Sequence, residues 1–275
     1  RAVEVRVVEE FGGELARRRV HRRLAVREDV ELEHDGVRLR LAQLSIVVRI
    51  RRVEQREHVS LELLAREHAH DSRRLDQLSS DLPPALARDA DLARDLPRYR
   101  VWRDGVVVED VNDASHVWTG DELTGFLLGC SFSWEQALAD AGHVPRHVED
   151  ETNVAMYVTN VENAASGPFG GFLVVSMRPY APEAVPAVAA LTEAYPAAHG
   201  GPLHWGDPAA LGIDDLSAPD FGDAVRVAPG EVPVFWACGV TPQSALAEAA
   251  LPLCVTHAPG HMFVCDLVDE ALRIV

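Results

Sequence analysis

The sequence predicts an α/β fold, a layered mixed sheet covered by helices, on three observations. From Gly171 onward, short apolar runs alternate with Ala-rich helical stretches. Across 275 residues, a hydrophobic content of 47% is enough for a substantial core. The longest apolar runs, residues 171–175 and 232–238, fall far short of the ~20 residues that span a bilayer.

Taken in order, the elements begin poorly punctuated. Residues 1–82 hold 17 Arg against 16 acids, three Gly and no proline. Residues 61–67 have helical spacing and 37–47 some strand-like alternation, but charges interrupt most candidate core faces. From Pro83 the text changes, with all 17 prolines and all five tryptophans. Residues 99–109 read as a hairpin around Asp104-Gly105, a pair suited to a type I′ turn. Ser133 is placed to cap a helix, with Gln136 three residues on and Gly142 to end it. Residues 171–177 read as a buried strand, and 182–195 as an Ala-rich helix with prolines in its first turns. Residues 232–238 form a further strand, and Gly239-Val240-Thr241 a turn. Residues 242–250 then make a helix capped by Thr241 with Pro242 at its first position. Short strands at 253–256 and 262–267 complete the pattern.

Composition removes several function classes. The chain has no lysine, all 26 basic residues being Arg, so a Schiff-base lysine, a Walker A lysine and the strand lysine of a kinase are absent. The net charge is -17, and residues 83–275 alone carry 9 Arg against 27 acids. That body repels phosphate backbones and anionic lipid, so neither nucleic acid nor membrane is an expected partner. The four cysteines, at 130, 238, 254 and 265, form no C-x-x-C pair and follow no secretory signal. Reduced thiols in a cytoplasm fit that pattern.

Chemistry-bearing residues cluster in a few stretches. An apolar run ends in Gly129, Cys130, Ser131, Ser133 and Glu135, a mixture that serves either a helix cap or a site. His147, Glu149 and Asn153 follow Arg146 within one short segment, offering proton transfer or merely a solvated charged loop. Arg178 ends an apolar run in an acidic region, placed for bidentate carboxylate recognition or for pairing with a structural acid. His204 with Asp207, and His257 with His261, sit in Gly/Pro turns. Pro259-Gly260 between the latter pair departs from the helical zinc pattern, so acid/base or turn-fixing roles are expected and no metal is.

In combination these stretches resemble the D-glutamate cyclase family. The resemblance runs from about Asp89 to Asp269 through residues 96–105, 126–133, 146–147, 153–160, 174–179, 204–207, 219–223, 231–243 and 256–262. Each string is weak alone, and their order is specific. The resemblance implies an intracellular α/β protein of two intimately joined lobes, with a smaller lobe inserted around 150–230. The implied chemistry is loss of water from a small amino or hydroxy acid, as in conversion of D-glutamate to 5-oxoproline. Bacterial members carry a hydro-lyase label. The N-terminus departs from the family, lacking its Gly-Pro-Thr-Ala-Gly and Gln-Ala-Asn-Leu motifs. Residues 1–82 read as an atypical Arg-rich segment, unstructured or mistranslated, ahead of a cyclase-like domain at 83–275.

Cyclising glutamate needs a base, an acid and stabilisation of an anion. The expected catalytic residues are His147, Glu149, His204, Asp207, His257 and His261. Substrate binding is expected at Gly129, Cys130, Ser131, Ser133, Asn153, Arg178, Thr241 and Gln243, with Arg178 on a carboxylate and the 129–133 amides and hydroxyls on the oxyanion. No cofactor is expected, a small acidic metabolite is the expected partner, and a homo-oligomer is left open. A dehydratase of another small acid and a non-catalytic binder of acidic metabolites remain the alternatives.

Overall fold

The computed structural model describes residues 3–7, 18–22, 31–34, 37–51, 87, 90–118, 123–165 and 167–273, with backbone alone for the four N-terminal stretches and for 123–126. The helical spacing at 61–67 lies outside the described residues. The fold is α/β, with two main sheets and four α-helices among those residues. No helix among them is long and apolar enough to cross a membrane.

The larger sheet is built around β4 (Val37–Arg51), the stretch with strand-like alternation. It runs in the order β13 (Phe263–Val268), β4, β12 (Cys254–His257), β5 (Tyr99–Arg103), β6 (Val106–Val111), and β3 (Glu31–His34) and β7 (Leu123–Gly129) also pair with β4. A separate ribbon joins β1 (Val3–Val7) to β2 (Arg18–Arg22). The β5–β6 hairpin turns as expected, because Asp104 and Gly105 both take positive φ, 49° and 78°. Both are needed for a type I′ turn. A Cβ on Gly105 would stand 2.3 Å from the Ala247 carbonyl oxygen, so the turn lies directly on a helix.

The smaller sheet has the order β10 (His204–Trp205), β11 (Val232–Ala237), β9 (Phe172–Tyr180), β8 (Ala155–Glu162), all antiparallel. Pro233 and Pro179 face each other in register. Two residues without N–H therefore share one position that needs none. The Asp220-Phe-Gly-Asp223 segment covers the edge of β8: Phe221 exchanges both backbone bonds with Met156, and Asp220 and Asp223 accept from the Val158 and Asn153 amides. A capped edge cannot recruit another strand.

Alternation divides this sheet into two faces. Val175, Met177, Phe235, Ala155 and Tyr157 bury against Leu211, Ile213 and Val225 on one side. On the other, Ser176, Arg178 and Trp236 meet α1 (Phe132–Asp140) and α3 (Val185–Glu193). Helix α2 (Arg146–Glu149) packs beside β9, and α4 (Thr241–Ala249) lies between the sheets, with Val240 ahead of it in one cluster and Leu246 in another.

Two expected caps are not caps. Helix α1 starts at Phe132, with Ser131 at the cap position and Ser133 buried one residue inside. The Ser131 hydroxyl accepts from Arg178 instead of from its own helix. Thr241 is likewise the first helical residue of α4, and its hydroxyl both donates to the Val174 carbonyl and accepts from the Val174 amide. A hydroxyl taken by a neighbouring strand cannot also serve the helix. The other end of α1 follows expectation: the Gly142 and His143 amides bond back to Ala139 and Leu138, a Schellman ending with Gly142 at φ 82°.

Candidate active site

Arg178 is the centre of the site and has no solvent exposure. Its Nε donates to Glu135 Oε1 at 2.8 Å and its Nη2 reaches the same oxygen. Nη1 donates to Ser176 Oγ and Nη2 to Ser131 Oγ, each at 3.0 Å. The guanidinium carbon lies 4.5 Å from the Trp134 ring centre and 5.4 Å from that of Trp236. Two aromatic faces and three polar partners offset the desolvation of a buried cation.

Glu135 faces that cation from the first turn of α1, and His147 holds its other side. His147 Nε2 stands 3.0 Å from Oε1 and 3.3 Å from Oε2. Burial alone would push the Glu135 carboxyl up, but His147 and Arg178 outweigh it and hold the group down at about 2. The His147 ring is buried, stacked on Phe132 at 6.0 Å between centres, and its Nδ1 has no hydrogen-bond partner among the described residues. A carboxylate at Nε2 requires hydrogen there, which leaves the Nδ1 lone pair to take a proton. The result is a line of Arg178, Glu135 and His147, with the last nitrogen uncommitted.

The segment after α3 closes the cluster. A short 3₁₀ turn, Pro196–Ala198, lies against the start of α1 so closely that a Cβ on Gly129 would fall 1.6 Å from the Ala197 carbonyl oxygen. The Trp134 indole donates to the Ala198 carbonyl at 2.8 Å. His199 follows with φ 76°.

The sequence-predicted residues therefore divide. His147, Arg178 and Ser131 come together, as does Ser133 beside them on α1. Arg178 holds Glu135 where a substrate carboxylate was expected, the alternative of a structural acid being the observed one. Gly129 makes room for a neighbouring backbone. Cys130 is buried. The Ser133 and Trp134 amides, expected to face an oxyanion, bond to the Cys130 and Ser131 carbonyls. Glu149 pairs with Arg146 at 3.0 Å, so the partner of His147 is Glu135. Glu135 and Ser176 were missed as site residues. Their signal was spacing: Ser176 two residues before Arg178 on a strand, and Glu135 four after Ser131 on a helix, each share a face.

His204 is set on the far side of the sheet. It stands opposite Phe235 and stacks on it at 5.9 Å between centres, while Phe235 stands opposite Met177. Its Nε2 meets the Asp207 backbone carbonyl, and the Asp207 carboxylate accepts from the Ala209 amide as a cap. The expected His204–Asp207 proton pair is thus a turn. The remaining residues gather at a second place, where Gln243 donates to the His257 carbonyl at 3.2 Å and a Cβ on Gly260 would meet the Asn153 amide. His261 is tied to the Pro259 carbonyl in that turn. Thr241 staples α4 to β9. No group of three or more His, Cys, Asp or Glu among the described residues is arranged to hold a metal.

Residues 124–266, which include the whole cluster, match a family model described as D-glutamate cyclase. The chain is 56% identical over 195 residues to a protein of Rubrobacter xylanophilus, covering 71% of this chain and 75% of that one. It is 48% identical over 199 residues to YcsI of Bacillus subtilis, covering 72% and 77%, and 52% identical over 188 residues to a protein of Jannaschia sp., covering 68% and 70%. All three relatives bear the name "Putative hydro-lyase".

Proposed function

Because the chain belongs to the D-glutamate cyclase family, we propose that it is a hydro-lyase that closes D-glutamate into 5-oxoproline and water, with His147 carrying the protons. The hydro-lyase names of its relatives support the reaction class. The observation that supports the assignment of roles is His147 Nδ1, buried without a partner among the described residues while Nε2 is fixed by Glu135.

The chemistry asks for such a group. The α-ammonium must lose a proton before its nitrogen attacks the side-chain carboxyl carbon. A C–N bond then forms, a C–O bond breaks, and both protons that leave nitrogen end in the departing water. One imidazole can carry each in turn, taking it at Nδ1 and delivering it to oxygen. Glu135, kept ionised by Arg178, fixes the ring and stabilises its protonated form, as a carboxylate does in a catalytic triad. Arg178 acts through Glu135, since its own donors are taken. Nδ1 is sealed from solvent, so substrate reaches it only as surrounding segments part.

The test is incubation of the full chain with D- and L-glutamate and detection of 5-oxoproline. Product from the D isomer that is lost in His147→Gln is the expected result. Product formation rejects a mere binder, and wild-type turnover in His147→Gln would overturn the assignment.

A further inference from the structure

We propose that His199 is a second substrate-contacting residue of this site, its Nε2–H donating to the carboxyl oxygen that gathers charge as the amine adds. The inference rests on the reading that the buried cluster turns over a small amino dicarboxylate. Three independent observations carry it.

The first is backbone geometry. His199 takes φ 76°, a left-handed conformation that glycine adopts freely and other residues at a cost, yet the glycines stand next to it, at 200 and 201. An imidazole kept at a position that suits glycine points to a use for the side chain. The second is the state of that side chain. Nε2 is buried, and it has no hydrogen-bond partner among the described residues. A buried polar atom left so is rare, and a ligand is one way to satisfy it.

The third is location. His199 directly follows Ala197, whose carbonyl lies on Gly129, and Ala198, whose carbonyl holds the Trp134 indole. That indole covers Arg178. The segment is thus docked along the start of α1, and it delivers His199 to the same cluster that holds His147. Burial, helped by the Arg178 charge, pushes the His199 ring down to about 4. It is therefore neutral near pH 7, a donor that does not compete with His147 for the proton. A preorganised donor of this kind is worth roughly 10²- to 10³-fold in turnover.

The experiment combines two readouts on the full chain. Protein labelled with ¹⁵N-histidine is titrated with glutarate, which has the substrate's two carboxylates and no amine, and the His199 signal is identified by its loss in His199→Gln. Glutarate should move the His199 and His147 ring signals together. Movement of His147 with His199 unchanged overturns the inference and leaves the proposed reaction standing. No movement of either, with no 5-oxoproline formed from D-glutamate, overturns the reaction and the inference with it. In parallel, His199→Gly should raise Tm by relieving the backbone while kcat falls about 100-fold. A lower Tm with wild-type kcat is the result of a purely structural histidine and overturns the proposal.

Discussion

The two faces of the smaller sheet are made by adjacent residues and do opposite things. Met177 and Arg178 are neighbours on β9, and both are fully buried. Met177 enters an apolar cluster with Phe235 and Tyr157, where burial is its own reward. Arg178 enters a polar one, where burial is tolerated only because Glu135, Ser131, Ser176 and two indoles surround it. One face holds the sheet together by removing carbon from water. The other holds charge in a place where charge is expensive, and such places are where function is found.

Arg178→Met should break the polar face hardest. It leaves the Glu135 carboxylate buried beside His147 alone, at a cost of about 3–5 kcal/mol. Denaturant unfolding reads the loss, and turnover should vanish with it. His147→Gln sharpens the division differently: it should lower kcat by roughly 10²–10⁴ with a change in unfolding midpoint too small to explain it. Met177→Ala is the control on the other face, costing about 2–5 kcal/mol by opening a cavity. Measured on the fraction still folded, its turnover should match that of the parent chain. A loss of kcat in folded Met177→Ala would mean that the faces are not independent.

Much of this architecture was legible from local rules. The Asp104-Gly105 turn, the Gly142 helix end and the strands at β9, β11, β12 and β13 follow from short-range chemistry that the sequence writes directly. What was not legible depends on contacts across many residues. Ser131 looks like part of a cap and Thr241 like a cap, and each gives its hydroxyl to β9, 47 and 67 positions away. Glu149 is nearer to His147 in sequence than Glu135 is, and only the packing of α1 on α2 decides between them. Arg178 was readable as important and not as internally satisfied, because its partners come from three separate segments.

Acid should dissolve the polar face in two stages. For His199 the folded value, about 4, lies below its ordinary 6.5. Between those limits the unfolded chain binds more protons, so stability falls as pH drops through that window. Glu135 is also depressed, from 4.5 to about 2, and its contribution is present above 4.5 and lost as pH falls toward 2. His199→Gly should flatten the upper window and Glu135→Gln the lower one, each unit of separation being worth about 1.4 kcal/mol. Unfolding midpoints taken from pH 7 to pH 3 check both, and an unchanged slope in either variant removes that group from the account.

The smallest expected effect is the most direct test of the division. His204→Ala removes an imidazole that rests on Phe235 and bonds to one backbone carbonyl at the sheet's exposed edge. Its loss should cost about 1 kcal/mol or less. Because the whole thickness of the sheet separates it from Arg178, kcat should not change. From sequence alone His204 and His147 are equal candidates, each a histidine with an acid a few residues away. They are distinguished only by parity along the strands: His204 shares a face with Phe235 and Met177, and Arg178 is one residue out of step. A large fall in kcat for folded His204→Ala would place the reacting atoms on the apolar face and take the proton-carrying role away from His147.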